Sequence, residues 1–108
     1  MTNRSDYAVV ITTTDAEDKA HTLASAVVNE KLAACAQVYP IASVYRWEGK
    51  IEQDKEWRID FKTRSDLVDK LAGFIGEHHD YDEPEIIALP IMGGSAGYLN
   101  WVTAETQS

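Results

Sequence analysis

The chain predicts an α+β sandwich, two helices laid on one face of an antiparallel sheet, and three observations carry that prediction. Charged residues stand at every second position from Glu52 to Lys62, with Trp57, Ile59 and Phe61 interleaved, which is the period of a strand. Two further stretches, residues 20–32 and 67–75, carry apolar residues at the i, i+3, i+4 spacing of an amphipathic helix. The elements follow one another in the order βαββαβ, and right-handed crossovers applied to that order place both helices on the same side of the sheet.

Residues 7–13 are apolar or β-branched on both alternating sets, as expected of a central strand covered on two faces. Thr14 and Asp15 end it, and either can cap the helix that follows, in which Ala20, Leu23, Ala24, Val27 and Val28 form one stripe ending near Leu32. Residues 33–39 read as a small-residue strand stopped by Pro40, and residues 42–47 resume it with Ser43, Tyr45 and Trp47 on one face. Glu48 and Gly49 then turn the chain, glycine supplying the positive φ of a tight hairpin. The returning strand, residues 51–62, sends Trp57, Ile59 and Phe61 into a core. Glu52, Asp54, Glu56, Arg58, Asp60 and Lys62 line its other face.

Ser65 can cap the second helix, whose stripe is Leu67, Val68, Leu71, Ala72 and Ile75 and which reaches towards Glu77, His78 and His79; Pro84 lies beyond its end. Residues 85–91 form a fourth, almost wholly apolar strand. Gly93 and Gly94 separate it from a short amphipathic helix carrying Tyr98, Trp101 and Val102. The whole reads as one ferredoxin-like domain spanning residues 1–108, its uncovered sheet face being the charged one. Four acids and two bases on that face admit two readings: a solvated surface, or a subunit interface or ligand cleft.

A net charge of −8, from 18 acidic and 10 basic residues, opposes nonspecific binding to phosphate backbones, so nucleic acid is not an expected partner whereas cations are. No segment approaches the ~20 apolar residues that cross a bilayer, and residues 1–5 are polar, so neither a membrane span nor a signal peptide is expected. The single Cys35 fits a reducing cytoplasm, which is the expected location. Cys35 reads as a buried small hydrophobe and His21 as a solvated side chain. No histidine stands at a spacing that pairs it with Cys35, and Ser95 and Ser108 lack triad partners; the chain is read as non-enzymatic.

Imidazole suits copper, nickel or zinc at neutral pH, which makes His78 and His79 the candidate metal ligands. Neighbours on a regular helix point about 100° apart, so both reach one ion only where the helix has ended. The competing reading is that histidines at a helix C-terminus cap its carbonyls and favour its dipole. A second constellation, Tyr45, Trp47, Glu48, Lys50, Glu56 and Lys62, gathers aromatic, cationic and acidic groups around the hairpin. Such a mixture builds either a cleft for a small polar ligand or ordinary cross-strand packing with surface ion pairs.

Several blocks together resemble one family. They are Leu32-Ala33-Ala34-Cys35, then Ser43, Tyr45 and Trp47 with Glu48-Gly49-Lys50-Ile51, then Glu56 with Lys62-Thr63. They continue with His78-His79, Tyr81 and Pro84-Glu85-Ile86, and then Pro90, Tyr98 and Trp101. In this order they are similar to the CutA divalent-cation tolerance family. The resemblance implies a homotrimer packed through its sheets, related in architecture to PII signalling proteins, with Arg58 and Asp60 as interface candidates, and a link to copper and other divalent metals. It also implies, as an alternative, a small anionic metabolite held in subunit clefts. Family members proposed to bind copper add a cysteine on the first strand, and the matching position here is Thr12. A hydroxyl is a poor substitute for a thiolate, so weaker affinity for soft ions, Cu(I) especially, is expected.

Overall fold

The computed structural model describes residues 6–108; the polar lead-in at residues 1–5 lies outside the described residues. The elements are β1 (Tyr7–Thr14), α1 (Glu17–Asn29), β2 (Cys35–Trp47), β3 (Lys50–Arg64), α2 (Val68–His78), β4 (Ile87–Pro90) and α3 (Ala96–Ala104), with a 3-10 turn at Ser65–Leu67 leading into α2. The four strands form one antiparallel sheet in the order β2-β3-β1-β4, the ferredoxin-like arrangement. Val10 of β1 lies opposite Phe61 of β3, and Thr12 opposite Ile59, so these side chains share the face on which α1 and α2 pack. Ile59, Phe61, Leu71, Ile75, Val10 and Val27 are sealed in that core, and Trp57 packs against its edge.

Local chemistry sets the boundaries, and several differ from the sequence reading. β2 runs unbroken through Pro40, which sits opposite Trp57. The strand is the sheet's outer edge, where a missing N–H leaves no ladder bond unmade. Neither Thr14 nor Asp15 caps α1; Ala16 holds that position and the Thr14 hydroxyl donates to the Ala16 carbonyl at 2.9 Å. α1 stops at Asn29 because Lys31 turns left-handed (φ +59°). The N–H groups of Lys31 and Leu32 then close back on the carbonyls of Val28 and Val27, which delivers Leu32 to the core. Ser65 does not cap α2 through its side chain, and its N–H instead donates to Asp6. Glu48 (φ +50°) and Gly49 (φ +79°) form a two-residue turn with both central residues left-handed, the type whose twist matches the strands it joins.

The charged face is not left bare along its whole length. α3 crosses one end of it: the Tyr7 hydroxyl meets Thr103 at 2.5 Å, Arg64 donates to Thr106 and to the Gln107 carbonyl, and Leu99 and Val102 close a second small core with Tyr7 and Ala34. At the other end the hairpin outruns the sheet. The last β1–β3 pair is Thr14 with Trp57, so β3 up to Glu56 has β2 as its sole neighbour, and the chain measures 46 × 25 × 21 Å. β4 spans four residues rather than the seven of residues 85–91. Its register would bring Glu85 opposite Thr13, whose carbonyl is taken by His79.

Candidate functional site

The end of α2 separates the two histidines. His78 is its last residue, while His79 is already extended (φ −88°, ψ 144°), so the side chains diverge. The His78 ring stacks on Phe74 with centroids 4.0 Å apart, and its Nδ1 lies 2.8 Å from the Phe74 carbonyl, which can only accept. Nδ1 is therefore the protonated nitrogen. Nε2, on an exposed ring, keeps its lone pair with no partner among the described residues.

His79 is the opposite case. Its side chain is 1% exposed, Nε2 lies 2.6 Å from the Thr13 carbonyl, and Nδ1 accepts the Tyr81 N–H at 3.0 Å. A carbonyl cannot donate and an amide N–H cannot accept, so Nε2 carries the proton and both ring nitrogens are used. Asp80 Oδ1 comes within 3.6 Å of Nδ1, but a nitrogen that is accepting forms no ion pair there. Asp80 serves Lys19, whose ammonium lies 2.5 Å from Asp80 and 2.9 Å from Asp15. The hydrogen bond from Lys19 holds the Asp80 carboxyl below the usual carboxylate range, and the two carboxylates raise Lys19. Lys19, His78, His79 and Asp80, with Thr14 and Asp18, rim a cleft of about 310 Å³ between α1 and the end of α2.

The fit to a metal follows from those bonds. As they stand the two histidines cannot share an ion, since His79 has no free nitrogen, and among the described residues no three His, Cys, Asp or Glu side chains converge. His78 Nε2 fits a single ligand position. Thr12 is fully buried on the helix-covered face and its hydroxyl has no hydrogen-bond partner, so it offers nothing to an ion in that cleft. Cys35 is half-buried rather than buried, lies across from Lys62 and neighbours Tyr98, whose hydroxyl is pushed up by burial and by that thiol. His21 is solvated, as its place off the stripe of α1 implies.

The hairpin residues do not gather in one place. Tyr45, Trp47, Glu48 and Lys50 cluster at the tip, Glu56 lies midway, and Lys62 is at the far end, roughly 40 Å from Lys50 at ~3.3 Å per residue. Three of the four acids of the row are matched instead by tyrosines. Tyr39 donates to Asp60 at 2.9 Å, Tyr45 to Asp54, and Tyr81 to Glu56 at 3.0 Å. The bond to Asp54 pushes Tyr45 up to about 12, while burial and then Glu56 push Tyr81 upward. Arg58 Nε donates to Asp60 at 2.9 Å with its guanidinium 5.7 Å from the Tyr39 ring, and Lys62 donates to Gln37. Sequence reasoning missed Lys19, Asp80 and the Tyr81–Glu56 bond. The available signal for the last was a carboxylate beyond the end of β1 with a tyrosine just past the helix that points back at it.

The chain is 45% identical over 101 residues to "Protein CutA, chloroplastic" of Arabidopsis thaliana, an alignment that covers 93% of this chain and 56% of that relative, little more than half its length. Among solved structures, CutA1 from Oryza sativa superimposes with a TM-score of 0.93 at 42% identity, over 95% of both chains. The periplasmic divalent cation tolerance protein CutA from Archaeoglobus fulgidus superimposes at 0.91 with 32% identity, over 94% of this chain and 99% of that one. These descriptions overturn the cytoplasmic expectation: similar proteins are chloroplastic or periplasmic, and a lone cysteine and a polar lead-in do not distinguish those compartments. A description of a protein family matches residues 8–105, from the second residue of β1 to the end of α3, and on that match the chain belongs to the CutA1 divalent ion tolerance protein family.

Proposed function

We propose that this chain acts in divalent-cation tolerance as a non-enzymatic homotrimer that binds a divalent cation, Cu(II) foremost, at the His78 and His79 end of α2. The observation that carries the reading is the exposed His78 ring, whose Nε2 has no partner among the described residues, beside a cleft lined by Asp18 and by the Asp80–Lys19 pair. Imidazole nitrogen is a good ligand for Cu(II), Ni(II) and Zn(II), and neighbouring carboxylates raise the local cation concentration. An imidazole nitrogen with carboxylates nearby and no thiolate among the residues lining the cleft favours Cu(II) over Cu(I). The relatives' names, divalent-cation tolerance among them, support the role.

Assembly is supported by surface the single chain leaves open. Val44, Trp47 and Ile51 on the free hairpin are 59–66% exposed, and Ile87 and Leu89 of edge strand β4 are nearly half exposed. A two-stranded ribbon is marginal alone, and exposed apolar groups on it call for cover by another copy.

The test is a Cu(II) titration of the full chain in a chelator-buffered series, beside the double variant His78→Ala/His79→Ala. Loss of binding in the double variant is the expected result, and unchanged binding removes the site. Sedimentation velocity on the same samples reports assembly, and a stable monomer at micromolar concentration removes the trimer.

A further inference from the structure

We propose that the two adjacent histidines divide the work, His78 being the imidazole of the pair that is offered to a cation and His79 a structural pin that fastens the end of α2 to β1. The cation half rests on the function proposed above; the pin does not. The division follows from where the helix stops. Had α2 continued through His79, both rings would project from its surface and both would cap its carbonyls. Because the backbone turns extended at His79, that ring swings inward, is 1% exposed, and joins the Thr13 carbonyl to the Tyr81 N–H.

For His79 to coordinate an ion through Nδ1 it would have to release the Tyr81 amide, and through Nε2 it would have to lose a proton and the Thr13 carbonyl. Either leaves a buried polar group without a partner. His78 pays no such cost, since the Phe74 carbonyl occupies Nδ1 and fixes the tautomer that presents Nε2 to solvent. A hydrogen bond to the distal nitrogen is the arrangement that orients imidazole ligands in metal sites generally. The pair therefore supplies one nitrogen per copy, and water or solvent anions complete the coordination.

The experiment uses the full-length, 15N-labelled chain, with long-range proton–nitrogen spectra to read both rings and Zn(II) and Cu(II) as probes. Before metal is added, His79 should show the Nε2–H tautomer and His78 the Nδ1–H tautomer. Zn(II) should shift the His78 ring alone, and the Cu(II) paramagnetic resonance spectrum should carry splitting from one imidazole nitrogen. His78→Gln should weaken Cu(II) binding at least tenfold with the melting temperature unchanged. His79→Ala should lower the melting temperature by about 10 °C with Cu(II) affinity within twofold. His79→Gln, which can still donate towards Thr13, should recover part of that loss.

Splitting from two nitrogens, or a loss of affinity in His79→Gln as large as in His78→Gln, overturns the division. A metal-free His79 ring protonated on Nδ1 overturns the pin. If the wild-type chain binds neither ion, the proposed function fails together with the ligand half, and the metal-free spectrum still decides the pin.

Discussion

Replacing Thr12 with valine should stabilise this protein. Thr12 is 0% exposed, and its Oγ1 is buried without a hydrogen-bond partner on the face covered by α1 and α2. An unsatisfied buried hydroxyl costs about 1–3 kcal/mol, and valine keeps the shape and the χ1 stiffness of threonine while exchanging that hydroxyl for a methyl. Valine is also at least as favourable in a strand. A gain of about 1 kcal/mol is expected, which for a domain of this size raises the melting temperature by about 5 °C. The measurement is thermal unfolding followed by circular dichroism at fixed protein concentration, because assembly makes the midpoint concentration-dependent. Thr63→Val is the internal control. Thr63 is equally buried on the same face, but its hydroxyl donates to the Leu32 carbonyl at 2.7 Å, so the same exchange there should cost about 1–2 kcal/mol. If Thr12→Val destabilises as much as Thr63→Val does, the Thr12 hydroxyl has a partner and the reasoning fails. The same orphan site accommodates the cysteine that the family resemblance places there, since a thiol tolerates apolar burial better than a hydroxyl does.

Two other outcomes follow from the charged face. Arg58→Glu removes the bond to Asp60 and the contact with the Tyr39 ring and places a fifth acid in the row, so assembly should weaken; sedimentation across a dilution series at low salt checks this, and a variant still trimeric at the highest dilution contradicts it. Tyr45 is held protonated up to about 12, above its unfolded value near 10, so the stability it contributes is present below pH 10 and is lost as the pH rises through 12. Tyr39, Tyr81 and Tyr98 are also raised, so ultraviolet titration should show several late-ionising tyrosines, one of which moves back towards 10 in Asp54→Asn; a titration identical in the variant would refute the pairing.

The fold was legible because its signals are local and periodic. Alternation over β3 and the stripes of α1 and α2 leave a single face for each element to bury, and the two-residue turn at Glu48 and Gly49 fixes the hairpin register. What escaped was set by tertiary position. Pro40 reads as a break until β2 is known to be the sheet's edge, where the ladder tolerates it. Thr14, Asp15 and Ser65 have the chemistry of caps, yet backbone geometry put Ala16 at one helix start and a 3-10 turn at the other. The course of α3 over the charged face depends on Tyr7, Ala34 and Arg64 meeting residues at the far end of the chain, a proximity that no sequence window contains. At the site, the type of residue at positions 78 and 79 was legible and its role was not, because the role turns on which side of a helix terminus each ring falls.

The tyrosines change what the charged row demands of a partner. Asp54, Glu56 and Asp60 each accept a tyrosine hydroxyl within the chain, and Asp60 also holds Arg58, so the acids of the row are largely satisfied before any second copy arrives. Hydrogen-bonded carboxylates gain little from exposed cations across an interface. The unmet requirement lies elsewhere, in Val44, Trp47 and Ile51 on a ribbon that no third strand supports and in Ile87 and Leu89 at the opposite edge of the sheet. Trp47, Ile87 and Leu89 share the face of the ionic row, whereas Val44 and Ile51 lie on the other face of the ribbon; in the trimer proposed above, apolar cover would drive association and the ionic row would set register. The consequence is a gradient of effects along β3, in which removing Trp47 at the hairpin tip should weaken association more than Arg58→Glu does.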